Sequence, residues 1–264
     1  MRSPGPAFNL RAALTQELRA AAEELDKSPS KAKTIHRARV RLKRARALAR
    51  IGHACAPGLS DVFNDSARAV MRILAEARDL AALAEAARKT ADHAAKREAA
   101  ALEAIAEEID ADRAALGPPD LDLVRSGLRD LAALAQVWPE ASARQIERGA
   151  NRLIRKARIA RRRAGDASNP ERRHHWRKRE KDRLFAATLL EDAWPTRRRR
   201  KHGAKLGDVL GDERDALLLI EHVLNAPSCD GKTGKRALKA LQRRLNVLAA
   251  RANDLGARVH AGGA

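Results

Sequence analysis

Apolar residues recur at three- and four-residue steps along most of the chain, the spacing that one face of an α-helix produces. Leu10, Leu14, Leu18, Ala21 and Leu25 set the pattern at the start. Residue types reinforce it. Aromatics make up only 2% of the chain and Tyr is absent, so there is little from which to build sheets. Long Ala/Leu/Glu/Arg stretches carry high helix propensity. The expectation is an all-α protein with a core of Leu, Ala and Ile.

Turn-forming residues divide this pattern into nine expected helices. They lie near residues 9–27, 31–53, 60–90, 92–116, 120–137, 140–164, 171–193 and 196–225, with the ninth following the loop 227–234 and ending near 258. Ser28-Pro29-Ser30 closes the first and caps the second, and Gly117-Pro118-Pro119 is the strongest break. Trp138-Pro139 and Trp194-Pro195 stop the fifth and seventh helices.

An internal repeat runs through these elements. His36-Arg37-Ala38-Arg39-Val40-Arg41-Leu42-Lys43 and His174-His175-Trp176-Arg177-Lys178-Arg179-Glu180-Lys181 both fit H-x-x-R-x-R-x-K. Downstream, Ile73-Leu74-Ala75-Glu76-Ala77-Arg78-Asp79 answers Val209-Leu210-Gly211-Asp212-Glu213-Arg214-Asp215 at nearly the same offset. Two related helical halves are expected, near residues 8–116 and 140–258, joined by a helix near 120–138, all within a single domain spanning 8–258.

Charge narrows the function. The chain carries 54 Lys+Arg against 34 Asp+Glu, a formal +20, where solubility asks for a magnitude of roughly 2–8 in a small domain. Such an excess attracts polyanions: nucleic acid, an anionic membrane surface or polyphosphate. No stretch approaches the ~18 apolar residues that a membrane span needs, so no membrane insertion is expected. The start of the chain lacks a signal-peptide apolar run. Cys55 and Cys229 are far apart and without metal-ligand spacing, which fits a reducing cytoplasm.

The second helix concentrates the charge. Residues 31–50 hold nine Lys+Arg and no acid, whereas a solvated basic face normally carries interleaved Glu or Asp at i,i+4. His36, Arg39, Lys43, Arg46 and Arg50 fall within about an 80° arc beside an apolar stripe of Ile35, Ala38, Leu42, Ala45 and Ala49. Arg37, Arg41 and Arg44 lie on the far side. Like charges so arranged destabilise a helix, a cost that a bound anion removes.

The second copy is shorter. His174, Arg177 and Lys181 repeat the stripe, but Leu184 and Thr188 replace the last two arginines, and Glu180 and Arg183 stand where the first copy is apolar. Lys178 and Arg179 partly compensate, and residues 197–201 add five positive charges. Arg forks and Lys ammonium groups suit phosphate oxygens, and a histidine N–H can donate to one. The candidate binding set is therefore His36, Arg39, Arg41, Lys43, Arg44, Arg46, Arg50, Arg78, His174, Arg177, Lys178, Lys181, Lys205 and Arg214. Charge reversal at Arg39 and Lys43 is expected to remove most binding. The Arg78-Asp79 and Arg214-Asp215 pairs read equally well as interhelical salt bridges.

On these residues the chain resembles the CHAD family, the conserved histidine α-helical domain. The segments that carry the likeness are I-H-R-A-R-V-R-L-K-R-A-R with L-A-E-A-R-D-L, and H-H-W-R-K-R-E-K-D-R-L with V-L-G-D-E-R-D-A-L-L-L. The resemblance implies one compact domain of two four-helix-bundle halves related by a pseudo-twofold duplication. It also implies binding of inorganic polyphosphate by basic residues lining a central groove, and association with polyphosphate granules. The E-x-E-x-K strand motif of the triphosphatase domain sometimes fused to this family does not occur here.

Three functions follow. The first is non-catalytic polyphosphate binding. The second is nucleic-acid binding, which the charge suits but the near-absence of stacking aromatics does not, leaving nucleic acid a weaker competitor. The third is phosphoanhydride hydrolysis, which needs metal-holding carboxylates or a Gly-rich phosphate loop. Asp61, Asp65, Asp79, Asp212 and Asp215 form no clustered motif, so no catalytic residue, metal or cofactor is expected.

Overall fold

The computed structural model describes residues 8–27, 32–165, 169–196, 199–226 and 231–261. Among them the chain is all-helical: α1 (Leu10–Lys27), α2 (Ala32–Gly52), α3 (Pro57–Ile73), α4 (Glu76–Ala91), α5 (Lys96–Ala115), α6 (Leu121–Gln136), α7 (Ala143–Arg163), α8 (Pro170–Leu190), α9 (Arg200–Asn225) and α10 (Lys232–His260), with one 3-10 turn at Glu191–Ala193. The proposed stop-and-cap at Ser28-Pro29-Ser30 lies outside the described residues, as do Arg197 and Arg198 of the expected basic run.

Local signals start several helices. Asp120 accepts the Leu123 N–H at 2.9 Å to cap α6, and Asn169 accepts the Arg172 N–H at 3.0 Å to cap α8. Ser142 and Gln145 bond reciprocally ahead of α7, through the Ser142 N–H at 2.9 Å and the Gln145 N–H at 3.3 Å. Each such contact satisfies an N–H that the helix itself leaves unpaired.

One expectation fails. The helix foreseen over 60–90 is two helices, broken at Leu74-Ala75. The Ala75 N–H turns back to the Arg72 carbonyl at 3.0 Å, so it does not reach the Met71 carbonyl, its partner in a continuing helix. The Met71 carbonyl instead accepts Arg39 Nη1 at 2.6 Å. A side chain of α2 thus caps the C-terminus of α3.

The chain divides into two compact units: residues 1–75, 118–160 and 178–200 form one, and 76–117, 161–177 and 201–264 the other. Each unit draws on both sequence halves. In unit 1, α1 packs on α2 and α6 while α3 packs on the same two helices, closing a four-helix ring. Its core joins Leu14, Leu42, Leu48, Phe63, Leu131 and Trp138. Trp138 is fully buried, meets Phe63 edge-on at 5.8 Å, and its carbonyl accepts Arg11 Nε at 2.9 Å and Nη2 at 2.6 Å. Glu180 and Arg183, the polar pair on the packing face of α8, are both buried and bonded to each other at 2.8 Å.

Unit 2 packs α5 against α4 and α10, with Ala87, Leu102, Ile109, Leu219 and Leu241 in its core. A buried ion pair ties its helices together. Arg173 holds Glu213 through two contacts of 2.6 Å and Asn253 at 2.7 Å, and its guanidinium stacks 5.0 Å from the Trp176 ring centre.

Candidate functional site

The site in unit 1 begins with a close helix crossing. A Cβ built on Gly149 would stand 2.3 Å from the Ile51 carbonyl oxygen, so α7 meets the C-terminal end of α2 backbone to backbone. That contact is open only to glycine. One and two turns further along α7 stand Arg152 and Lys156. α3 supplies Arg68, and α8 supplies Arg179 and Asp182.

The basic side chains among these wall a cavity of about 370 Å³. Arg50, His53, Arg68, Arg152, Lys156 and Arg179 line it, together with Ser60, Asp61, Asn64, Asp65 and Leu153. The volume falls in the range of pockets that hold small ligands. Asp182 sits among the cations, accepting Arg50 Nη1 at 3.1 Å and Arg179 Nη1 at 3.2 Å. Asp65 pairs with Arg68 at 2.9 Å, with both side chains more than half exposed.

Crowded like charges leave an electrostatic signature. Burial, with added repulsion from Arg50, Arg68 and Arg179, pushes Arg46 down to about 10, against the opposing pull of Asp182. Burial lowers Arg50 in the same way, with Asp182 opposing and Arg179 and Arg68 adding to it. Lys156 is lowered by burial and by Arg152, Arg179 and Arg50. Arg46, lowered to about 10, stays cationic at neutral pH, and a multiply charged anion relieves the mutual repulsion of such a cluster.

The candidate residues of α2 part company here. Only Arg46 and Arg50 join the cluster. Arg39 is 8% exposed and committed to the end of α3, so it does not belong to a solvent-facing stripe. Arg41 and Arg44 reach across to buried Glu17 of α1 at 3.3 Å and 2.9 Å. The acid-free sequence of α2 thus finds its counter-ions on other helices. His36 is exposed and Lys43 half-buried.

The remaining candidates are scattered. Lys178 and Lys205 are exposed, and His174 and Lys181 half-buried. In unit 2, burial lowers Arg177 while Asp215 opposes and Arg78 and Arg214 reinforce the shift. Asp215 is itself raised by burial. Arg78 bonds Asp79 at 3.2 Å, and Lys89 bonds Asp212 at 3.3 Å. The cavity beside Asp212 and Asp215 measures only about 20 Å³, room for about one water. Carboxylates therefore offset the cations of unit 2, whereas in unit 1 cations prevail.

Arg68, Arg152 and Lys156 were outside the sequence-derived set, and Arg179 entered only as a supplement. A signal existed for α7. From Arg148 to Gly165 there is no acidic residue, and Arg148, Arg152 and Lys156 follow one another at i,i+4, the same pattern that singled out α2. Among the described residues, no group of three or more His, Cys, Asp or Glu side chains is placed to hold a metal. No described helix is long and apolar enough to cross a membrane.

In fold the chain is similar to the crystal structure of the CHAD domain from the plant Ricinus communis, with a TM-score of 0.66 over 97% of this chain and 94% of that one, at 18% identity. No curated protein matches. The family model for the CHAD domain matches residues 10–224, and the chain belongs to the CHAD domain family.

Proposed function

We propose that this protein binds inorganic polyphosphate without hydrolysing it, on polyphosphate granules in the cytoplasm, with the unit 1 cavity as its principal anion site. The observation that carries the reading is the wall of Arg50, Arg68, Arg152, Lys156 and Arg179 around about 370 Å³, with Asp182 as the carboxylate bridging two of them. Polyphosphate offers closely spaced charges and no base to read. Arg forks and a mobile Lys are what such a ligand requires. Aromatics for stacking nucleobases are scarce, 2% of the chain, which favours polyphosphate over single-stranded nucleic acid.

The test is a titration with polyphosphates of defined length, beside DNA at matched charge, in physiological salt. Affinity is expected to rise with chain length and fall steeply with salt, by the counter-ion release that governs polyelectrolyte binding. Lys156→Gln and Arg68→Gln remove cavity-facing charges without touching the core, and each should weaken tripolyphosphate about tenfold, the value of one charge-assisted hydrogen bond. DNA displacing polyphosphate at equal phosphate concentration would overturn the reading. So would release of phosphate from the polymer in the presence of magnesium or manganese.

A further inference from the structure

The cavity uses only part of the charge on α7. Taking Arg152 as the origin at 100° per residue, Lys156 lies at +40°, Arg148 at −40°, Arg155 at −60° and Arg144 at −80°. These five cations form one continuous sector of about 120°, opposite the buried Ile146, Ala150, Leu153 and Ala157. Arg152 and Lys156 line the cavity. Arg144, Arg148 and Arg155 are exposed and make no ion pair among the described residues. Glu147, the helix's one acid, is exposed as well and pairs with none of them. From Arg144 to Lys156 the sector runs about 18 Å along the helix.

We infer that this outer face of α7 is an exit track, along which a polyphosphate chain anchored in the cavity continues over Arg148, Arg155 and Arg144. The inference rests on the proposed function and specifies the ligand as a long chain. Solvent-exposed arginines hold a free small anion weakly, because water and salt screen them. A polymer already seated beside Arg152 presents its next phosphates at high effective concentration, and each weak contact then adds to avidity. Short oligophosphates end inside the cavity and gain nothing from the track. The affinity of this protein should therefore rise with length in two stages, the second belonging to α7.

The experiment compares wild type with the triple variant Arg144→Gln, Arg148→Gln, Arg155→Gln, titrated with tripolyphosphate and with chains of hundreds of units. All three side chains are exposed, so the fold should be kept. The variant should hold tripolyphosphate as tightly as wild type. It should lose about tenfold or more on the long chain, with a salt slope shallower by about 2–3, close to one per phosphate contact removed. Equal long-chain affinity in variant and wild type would overturn the track, and so would an equal loss on both ligands. Failure of wild type to bind tripolyphosphate at all would instead overturn the cavity as the anion site.

Discussion

Arg39 shows how one residue can satisfy a functional motif and serve another purpose. It occupies the first Arg of H-x-x-R-x-R-x-K, yet its guanidinium bonds the Met71 carbonyl at 2.6 Å in a buried setting. That carbonyl is free because α3 stops at Ile73. Arg39→Met should therefore cost about 1–3 kcal/mol in urea unfolding, since a buried acceptor would lose its donor. The folded fraction of the variant should still bind tripolyphosphate with wild-type affinity. Binding lost with stability intact would return Arg39 to the site. Arg46 and Arg50, one and two turns beyond Lys43, carry the opposite expectation, because Arg68 and Arg179 crowd both of them with like charge.

At the scale of elements, apolar periodicity made most of the helices legible. It did not reveal the break at Leu74-Ala75, because Ala75 is a good helix former and the interruption depends on Arg39 from another helix. In the second copy Gly211, a poor helix former, stands at the matching position inside continuous α9. Propensity and outcome are reversed at the two places, so intrinsic propensity decides neither, and at the end of α3 a tertiary contact replaces the lost helical bond. The site was half legible for a similar reason. Arc geometry on α2 identified Arg46 and Arg50, but the facing wall depends on how α3, α7 and α8 pack, and the counter-ions Glu17 and Asp182 are remote in sequence.

Two glycines test this account of the elements. Gly149→Ala should destabilise by about 2 kcal/mol despite its better propensity, because the new methyl meets the Ile51 carbonyl at 2.3 Å. Tripolyphosphate binding should weaken with it as Arg152 and Lys156 shift. Gly211→Ala meets nothing within 4 Å and should stabilise by about 0.5–1 kcal/mol. Chemical denaturation of the two variants measures both signs, and a stabilising Gly149→Ala would contradict the close α2–α7 crossing.

The whole molecule carries +20, and that excess acts against its own fold. Pairs such as Arg173–Glu213, 2% and 3% exposed, are shielded from salt, whereas repulsion among the many exposed cations is not. Added salt should then have opposite effects on stability and on binding. Raising a non-binding salt such as sodium chloride from ~50 to ~500 mM shortens the screening length well below 10 Å and should raise the melting temperature of the ligand-free protein. An upward shift of about 2–4 °C corresponds to about 1 kcal/mol relieved in a chain of this size. Polyphosphate should raise the melting temperature strongly at the low-salt end, as a ligand selective for the folded state. The increment should shrink as salt rises, because counter-ion release weakens the same contacts. The two melting curves, with and without ligand, should converge with increasing salt. A ligand-free protein that melts lower as salt rises would mean that surface ion pairs outweigh the net repulsion. The cationic wall of unit 1 would then owe its arrangement to stability rather than to an anion.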